Sequence, residues 1–138
     1  MEPLIVTGTL DALERIRAYV DGVAARAGLN RRAVRRLVGA VDEIASNIVL
    51  HGYAKAGRAG MVQVWAEIGE QALTVVVEDT GVAYNPDLRI TPDLDMSLED
   101  REPGGLGLFL AGQKVDELRY ERMGERNRHT FVVYRRAE

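Results

Sequence analysis

Apolar positions along this chain switch between two spacings, one near 3.6 residues and one of two, and the switches divide it into elements. Leu4 to Thr7 is short and apolar and reads as a first strand. Leu10 to Ala27 carries Leu10, Leu13, Ile16, Val20 and Val23 near helical spacing, with Asp11 in the first turn and Gly28 as a stop. Asn30 is a good N-cap for a second helix. Its stripe of Val34, Leu37, Val38, Val41, Ile44, Ala45 and Ile48 predicts an amphipathic helix ending near His51-Gly52. Met61 to Ile68 alternates through Val62, Val64, Ala66 and Ile68, and Leu73 to Glu78 contains Val75-Val76-Val77. These are two strands turning through Gly69-Glu70-Gln71. Leu106 to Val115 reads as a third helix, and Arg119 to Met123 and Thr130 to Tyr134 as a final hairpin turning through Gly124 to Arg128.

Strand, helix, helix, two strands, a long loop, helix and two strands make an α/β two-layer sandwich, with helices packed on a mostly antiparallel mixed sheet. At 138 residues, 46% hydrophobic and 28% charged, the chain fits one globular domain spanning residues 1–138. A net charge of −3 gives no reason to expect direct nucleic-acid binding. The arginines at 31, 32, 35 and 36 read first as a solvated helix face. With no cysteine and only His51 and His129, thiolate and histidine metal sites are not expected. No apolar run approaches the roughly 20 residues of a membrane helix, and Met1-Glu2-Pro3 does not open a signal peptide. A cytoplasmic protein without membrane contact is expected.

Residues 82–103 break the pattern. They have no period, contain Pro86, Pro92 and Pro103, and carry six acids against Arg89 and Arg101. Loops of that length in a small domain are usually functional lids or disordered. Gly104-Gly105-Leu106-Gly107 then leads into a helix, offering backbone amides and the positive end of a helix dipole to phosphate. On the second helix Glu43 and Asn47 are four apart, hence neighbours, with small Gly39, Ala40 and Ser46 around them. A carboxylate and an amide oxygen are suitable hard ligands for magnesium. At the end of the strand Leu73 to Glu78, Asp79 is placed to accept a hydrogen bond from the exocyclic amine of a base, and Gly81 lets backbone approach the ring. Taken singly, each of these pieces also has a plain reading as a solvated face, a turn or a cap.

Their order narrows the reading. Val41-Asp42-Glu43-Ile44-Ala45-Ser46-Asn47, then Val77-Glu78-Asp79-Thr80-Gly81, then Gly104-Gly105-Leu106-Gly107-Leu108-Phe109 resembles the GHKL ATPase superfamily over nearly the whole chain. The blocks look like its N box, its adenine-binding glycine box and the box closing its ATP lid, here about residues 82–103. Within the superfamily the chain is most similar to the small anti-sigma-factor serine kinases. The shared features are Glu-x-x-x-Asn running into His51-Gly52-Tyr53, and an Asp-x-Gly block continuing to Tyr84-Asn85-Pro86.

That resemblance implies ATP and magnesium as cofactors, with Asn47 on the metal, Glu43 as catalytic base and Asp79 with Gly81 on adenine. Gly104, Gly105, Leu106 and Gly107 would lie on the phosphates, and Thr130 near the base. It implies two partners, a STAS-type anti-anti-sigma protein phosphorylated on serine or threonine and a sigma factor held by partner switching, together with a homodimer. Two departures stand out. Ala83 replaces the second glycine of the adenine box, and Arg128-His129 precedes Thr130 where a glycine is usual. The competing reading is a nucleotide-binding interaction module that holds a partner without phosphorylating it; retention of Glu43 beside Asn47 favours the enzyme.

Overall fold

The computed structural model describes residues 2–83 and 111–135. Strand β1 (Leu4–Thr7) leads through a short 3-10 turn (Leu10–Ala12) into helix α1 (Leu13–Arg26). Helix α2 (Arg31–Asn47) follows, capped as expected by Asn30, whose Oδ1 accepts from the Ala33 amide at 2.9 Å. Strands β2 (Met61–Ile68) and β3 (Ala72–Asp79) form a hairpin, and β4 (Glu117–Met123) and β5 (Arg126–Tyr134) form another. Of the third helix expected at Leu106–Val115, residues 111–114 are helical and the first part lies outside the described residues. The proposed lid lies outside them from residue 84 onward.

The strands form one sheet in the order β1-β2-β3-β5-β4, and every pairing among the described residues is antiparallel. The mixed character expected of the sheet is therefore not found there. Because β5 lies between them, β3 and β4 run in the same direction, and the chain between them crosses over β5.

Side chains alternate across a strand, so the register assigns faces. Leu73, Val75 and Val77 of β3 stand opposite Val133, Phe131 and His129 of β5, and with Val62 and Val64 they bury against the helices. From α1 come Ile16, Val20 and Val23, and from α2 Leu37, Val41 and Ile44, each at most 1% exposed. Val76 and Val132 are also buried but sit on the other face, outside that cluster. They explain the unbroken Val75-Val76-Val77 run, since a central strand is covered on both sides by its neighbours' side chains.

Two boundaries depart from the sequence reading. The second helix does not stop at His51-Gly52; after Asn47 it widens into a π-helical turn, Ile48–Ala54, with the Lys55 amide donating to the Leu50 carbonyl at 2.9 Å. The last hairpin turns through only Gly124 and Glu125, because Met123 already pairs with Arg126. Gly124 at φ 61 supplies the positive dihedral that a two-residue hairpin requires. Asn127, expected in the turn, and His129 just after it are therefore strand residues with buried side chains.

Candidate functional site

Asp79 is the last residue of β3 and, by alternation, faces the helices. It is 3% exposed, yet only one of its oxygens is used. Oδ1 accepts from the Gly81 amide at 2.8 Å and from Asn127 Nδ2 at 3.0 Å. Oδ2 is buried and has no partner among the described residues. Burial pushes the Asp79 carboxyl up from its ordinary value, against the pull of the Asn127 and Gly81 hydrogen bonds and of Arg122. A buried carboxylate oxygen with nothing to accept from is costly in the free protein. A bound donor group makes good that cost.

The turn after Asp79 packs against the π-helical turn. The Val82 amide donates to the Gly52 carbonyl at 3.2 Å, and a Cβ on Gly81 would lie 2.8 Å from that same oxygen. No side chain fits there, so the adenine-box glycine is required by backbone approach. Tyr53 fastens the turn from the other side. Its hydroxyl donates to the Met61 carbonyl at 2.7 Å and accepts from the Thr80 amide at 2.9 Å. The widened helical turn thus delivers Gly52 and Tyr53 together onto the Asp79 loop, which explains the run His51-Gly52-Tyr53. His51 beside them is held below its ordinary pKa, by burial first and Lys55 second, and so is neutral at physiological pH.

Glu43 and Asn47 lie on consecutive turns at the C-terminal end of α2, both half-buried. One turn earlier on the same face stands Gly39, where an added Cβ would come within 3.3 Å of Lys114 Nζ. Arg36 Nη2 donates to the Gln113 carbonyl at 2.6 Å. Residues 111–114 therefore cover this face of α2 at Arg36 and Gly39, while Glu43 and Asn47 lie further toward the Asp79 loop. Neither shows a fixed partner among the described residues, and no group of three metal-ligating side chains occurs there. Gly104, Gly105, Leu106 and Gly107 lie outside the described residues. Among the described residues a cleft of about 900 Å³ lies at the other end of α2, between Arg32, Arg36, Lys114, Asp116 and Arg135.

Thr130 does not face Asp79. It pairs with Val76, on the face of the sheet turned away from the helices, whereas Asp79 pairs with Asn127. The polar string Arg126 to His129 hid this, because it reads as a turn. Asn127, fully buried, is the β5 side chain that reaches Asp79. The signal that could have found it is the apolar Phe131 and Val133, whose period of two carries back to positions 129 and 127.

The five-stranded sheet with helices on one face, and an Asp-x-Gly turn at the end of a central strand, define an ATPase fold of the GHKL type. The chain belongs to the histidine kinase-like ATPase domain family, whose profile matches residues 6–133. It is similar to serine-protein kinase RsbW of Staphylococcus aureus, for example of strains MRSA252 and Newman. Each is 30% identical over 117 residues, which is 82% of this chain and 74% of the relative. Its fold is similar to that of a Mycobacterium tuberculosis structure, the RsbU and RsbW domains of Rv1364c. The TM-score is 0.65 at 22% identity, over 99% of this chain and 34% of that one. A blue-light activated histidine kinase of Erythrobacter litoralis shares the fold at a TM-score of 0.54, 19% identity and 89% of this chain, over 59% of that one. Among the described residues no helix is long and apolar enough to cross a membrane.

Proposed function

We propose that this chain is an ATP-dependent protein serine/threonine kinase that acts as an anti-sigma factor. The observation that carries the reading is the Asp79 carboxylate, buried with one oxygen satisfied and the other left over for a donor. An adenine amine is such a donor, and the close backbone approach at Gly81 and Gly52 suits the flat ring beside it. The similarity to serine-protein kinases at 30% identity supports phosphoryl transfer to a protein hydroxyl.

In this reading Asp79 orients the base and so sets where the phosphates fall. Asn47 and Glu43 offer an amide oxygen and a carboxylate, oxygen donors that fit magnesium. Magnesium, when bound, offsets the phosphate charge that builds in the transition state. Glu43 takes the proton of the attacking serine or threonine hydroxyl as its oxygen bonds to the γ-phosphorus and the bond to ADP breaks. Gly104, Gly105, Leu106 and Gly107 contact the phosphates. The substrate is a STAS-type anti-anti-sigma protein. The same chain sequesters a sigma factor by partner switching, as a cytoplasmic homodimer.

The test is incubation with labelled ATP and candidate STAS proteins, following phosphate incorporation beside complex formation. Incorporation into serine or threonine supports the kinase. Binding of ATP and partner without any transfer would leave an interaction module in its place.

A further inference from the structure

Asn127 lies in the most polar stretch of β5 and is nonetheless 0% exposed. Its side chain touches three elements. Its amide oxygen accepts from Tyr120 Oη at 2.6 Å and from Arg122 Nη1 at 3.1 Å, both on β4. Its amide nitrogen donates to Asp79 Oδ1 at 3.0 Å, to the Gly81 carbonyl at 3.2 Å and to the Val82 carbonyl at 3.1 Å. Arg122 Nη1 adds its own bond to the Gly81 carbonyl at 2.9 Å.

This network fixes which way the amide points. Two donors meet the oxygen and three acceptors meet the nitrogen, so a flipped amide would set donor against donor and acceptor against acceptor. The orientation in turn decides what Asp79 offers. With Gly81 and Asn127 both donating to Oδ1, the carboxylate cannot turn, and Oδ2 is its sole unclaimed acceptor.

We propose that Asn127 is a specificity-determining positioning residue, which holds the Asp79 carboxylate so that Oδ2 accepts from a 6-amino purine and disfavours a purine without that amine. The inference rests on the reading of Asp79 as the base acceptor. Without the Asn127 donor only the Gly81 amide still holds Oδ1, and burial biases the carboxyl further toward the protonated form, which donates instead of accepting. Arg122 of β4 and Glu78 of β3 are the charged groups that act on it, in opposite directions.

The experiment compares the affinity of the whole chain for ATP and for purine riboside triphosphate, which lacks only the 6-amino group. Wild type is expected to favour ATP by roughly tenfold or more, the scale of one hydrogen bond to a charged acceptor. Asn127→Leu, with the same branching and no polar atoms, removes the donor to Asp79 together with the bonds to Gly81, Val82, Tyr120 and Arg122, and is expected to bring that ratio to within about twofold of unity, with ATP weakened more than purine riboside triphosphate. A merely structural role would weaken both nucleotides equally. Tyr120→Phe keeps the ring and removes one donor that orients the amide, and it decides the matter if Asn127→Leu does not fold; a ratio lowered about threefold is expected, for one neutral hydrogen bond. A wild type that does not distinguish the two nucleotides overturns the adenine assignment of Asp79 and this inference with it. A discriminating wild type whose ratio survives Asn127→Leu, or survives Tyr120→Phe where the first variant is unfolded, overturns the role of Asn127 and leaves Asp79 standing.

Discussion

Replacing Asp79 by Asn changes one oxygen of the proposed acceptor into a donor and almost nothing else. The amide oxygen can keep both bonds of Oδ1, from the Gly81 amide at 2.8 Å and from Asn127 at 3.0 Å. The new NH₂ then stands where Oδ2 stood and faces the adenine amine donor to donor. Loss of a hydrogen bond to a charged acceptor costs about 1.5–3 kcal/mol, which is roughly 10- to 150-fold in ATP affinity. Stability moves the other way. Burial raises the folded-state pKa of Asp79, so its contribution to stability is full below the unfolded-state value and is lost as pH rises through the folded one. At neutral pH the ionised group therefore costs the free protein stability, and the amide does not titrate. Asp79→Asn should melt no lower than wild type at pH 7–8, and its advantage should shrink as pH falls toward about 4, the ordinary range of the carboxyl. Isothermal calorimetry with magnesium-ATP and thermal melting across that range check both halves. An ATP affinity within about twofold of wild type in the folded variant refutes the adenine assignment, since one such bond is worth far more. A variant that melts well below wild type at every pH would make Asp79 a structural residue instead.

Three further outcomes are expected. Glu43→Ala should lose about 10²–10⁴-fold in phosphate transfer to a partner protein while keeping most of its ATP affinity; transfer at the wild-type rate would remove Glu43 from the role of base. Gly81→Ala forces a Cβ to 2.8 Å from the Gly52 carbonyl and 3.0 Å from Asp79 Oδ1, so urea unfolding should show a loss of about 1–3 kcal/mol, the usual cost of overpacking. Tyr53→Phe leaves the Thr80 amide and the Met61 carbonyl without their shared hydroxyl and should cost about 1–3 kcal/mol in the same assay; a midpoint unchanged from wild type would mean that water replaces the hydroxyl.

What could be read from the sequence follows what is periodic. The α2 stripe, the Asn30 cap and the turn at residues 69–71 are local signals, and the start of α2, its cap and the β2–β3 turn formed where their patterns place them. Asp79, Gly81, Glu43 and Asn47 are singled out for a different reason, as pieces of an ordered set resembling a known superfamily. What the sequence hid is long-range. Asn127 and Asp79 are 48 residues apart and meet only through the β3–β5 register. A string of Arg, Asn, Arg and His gives no hint that two of the four are buried, because their pairing partners cover them. The same register moves Thr130 to the far face, where a one-residue shift in a strand reverses every side chain. The π-helical turn was hidden too, since its widening serves Gly52 and Tyr53 in contacts with a loop 27 or more residues downstream.

The Asp79 turn is tied down from every side, by Tyr53 at Thr80, by Gly52 at Val82, and by Asn127 and Arg122 at the Gly81 carbonyl. So many restraints on four residues, Asp79 to Val82, would be unnecessary if the turn only joined two elements. They make sense around a buried carboxylate oxygen that has no partner among the described residues, because a free side chain would rotate or take up a proton to relieve the cost. Such an arrangement spends stability in the free protein and recovers it from a ligand that supplies the missing donor. Binding at 100 times Kd adds about 2.7 kcal/mol to folding stability. In wild type, ATP should therefore raise the melting temperature, and purine riboside triphosphate at the same concentration should raise it less. In Asp79→Asn the preference for ATP should vanish, whatever the variant does to the baseline. Equal shifts in wild type would mean that the restraints serve the fold and not the base.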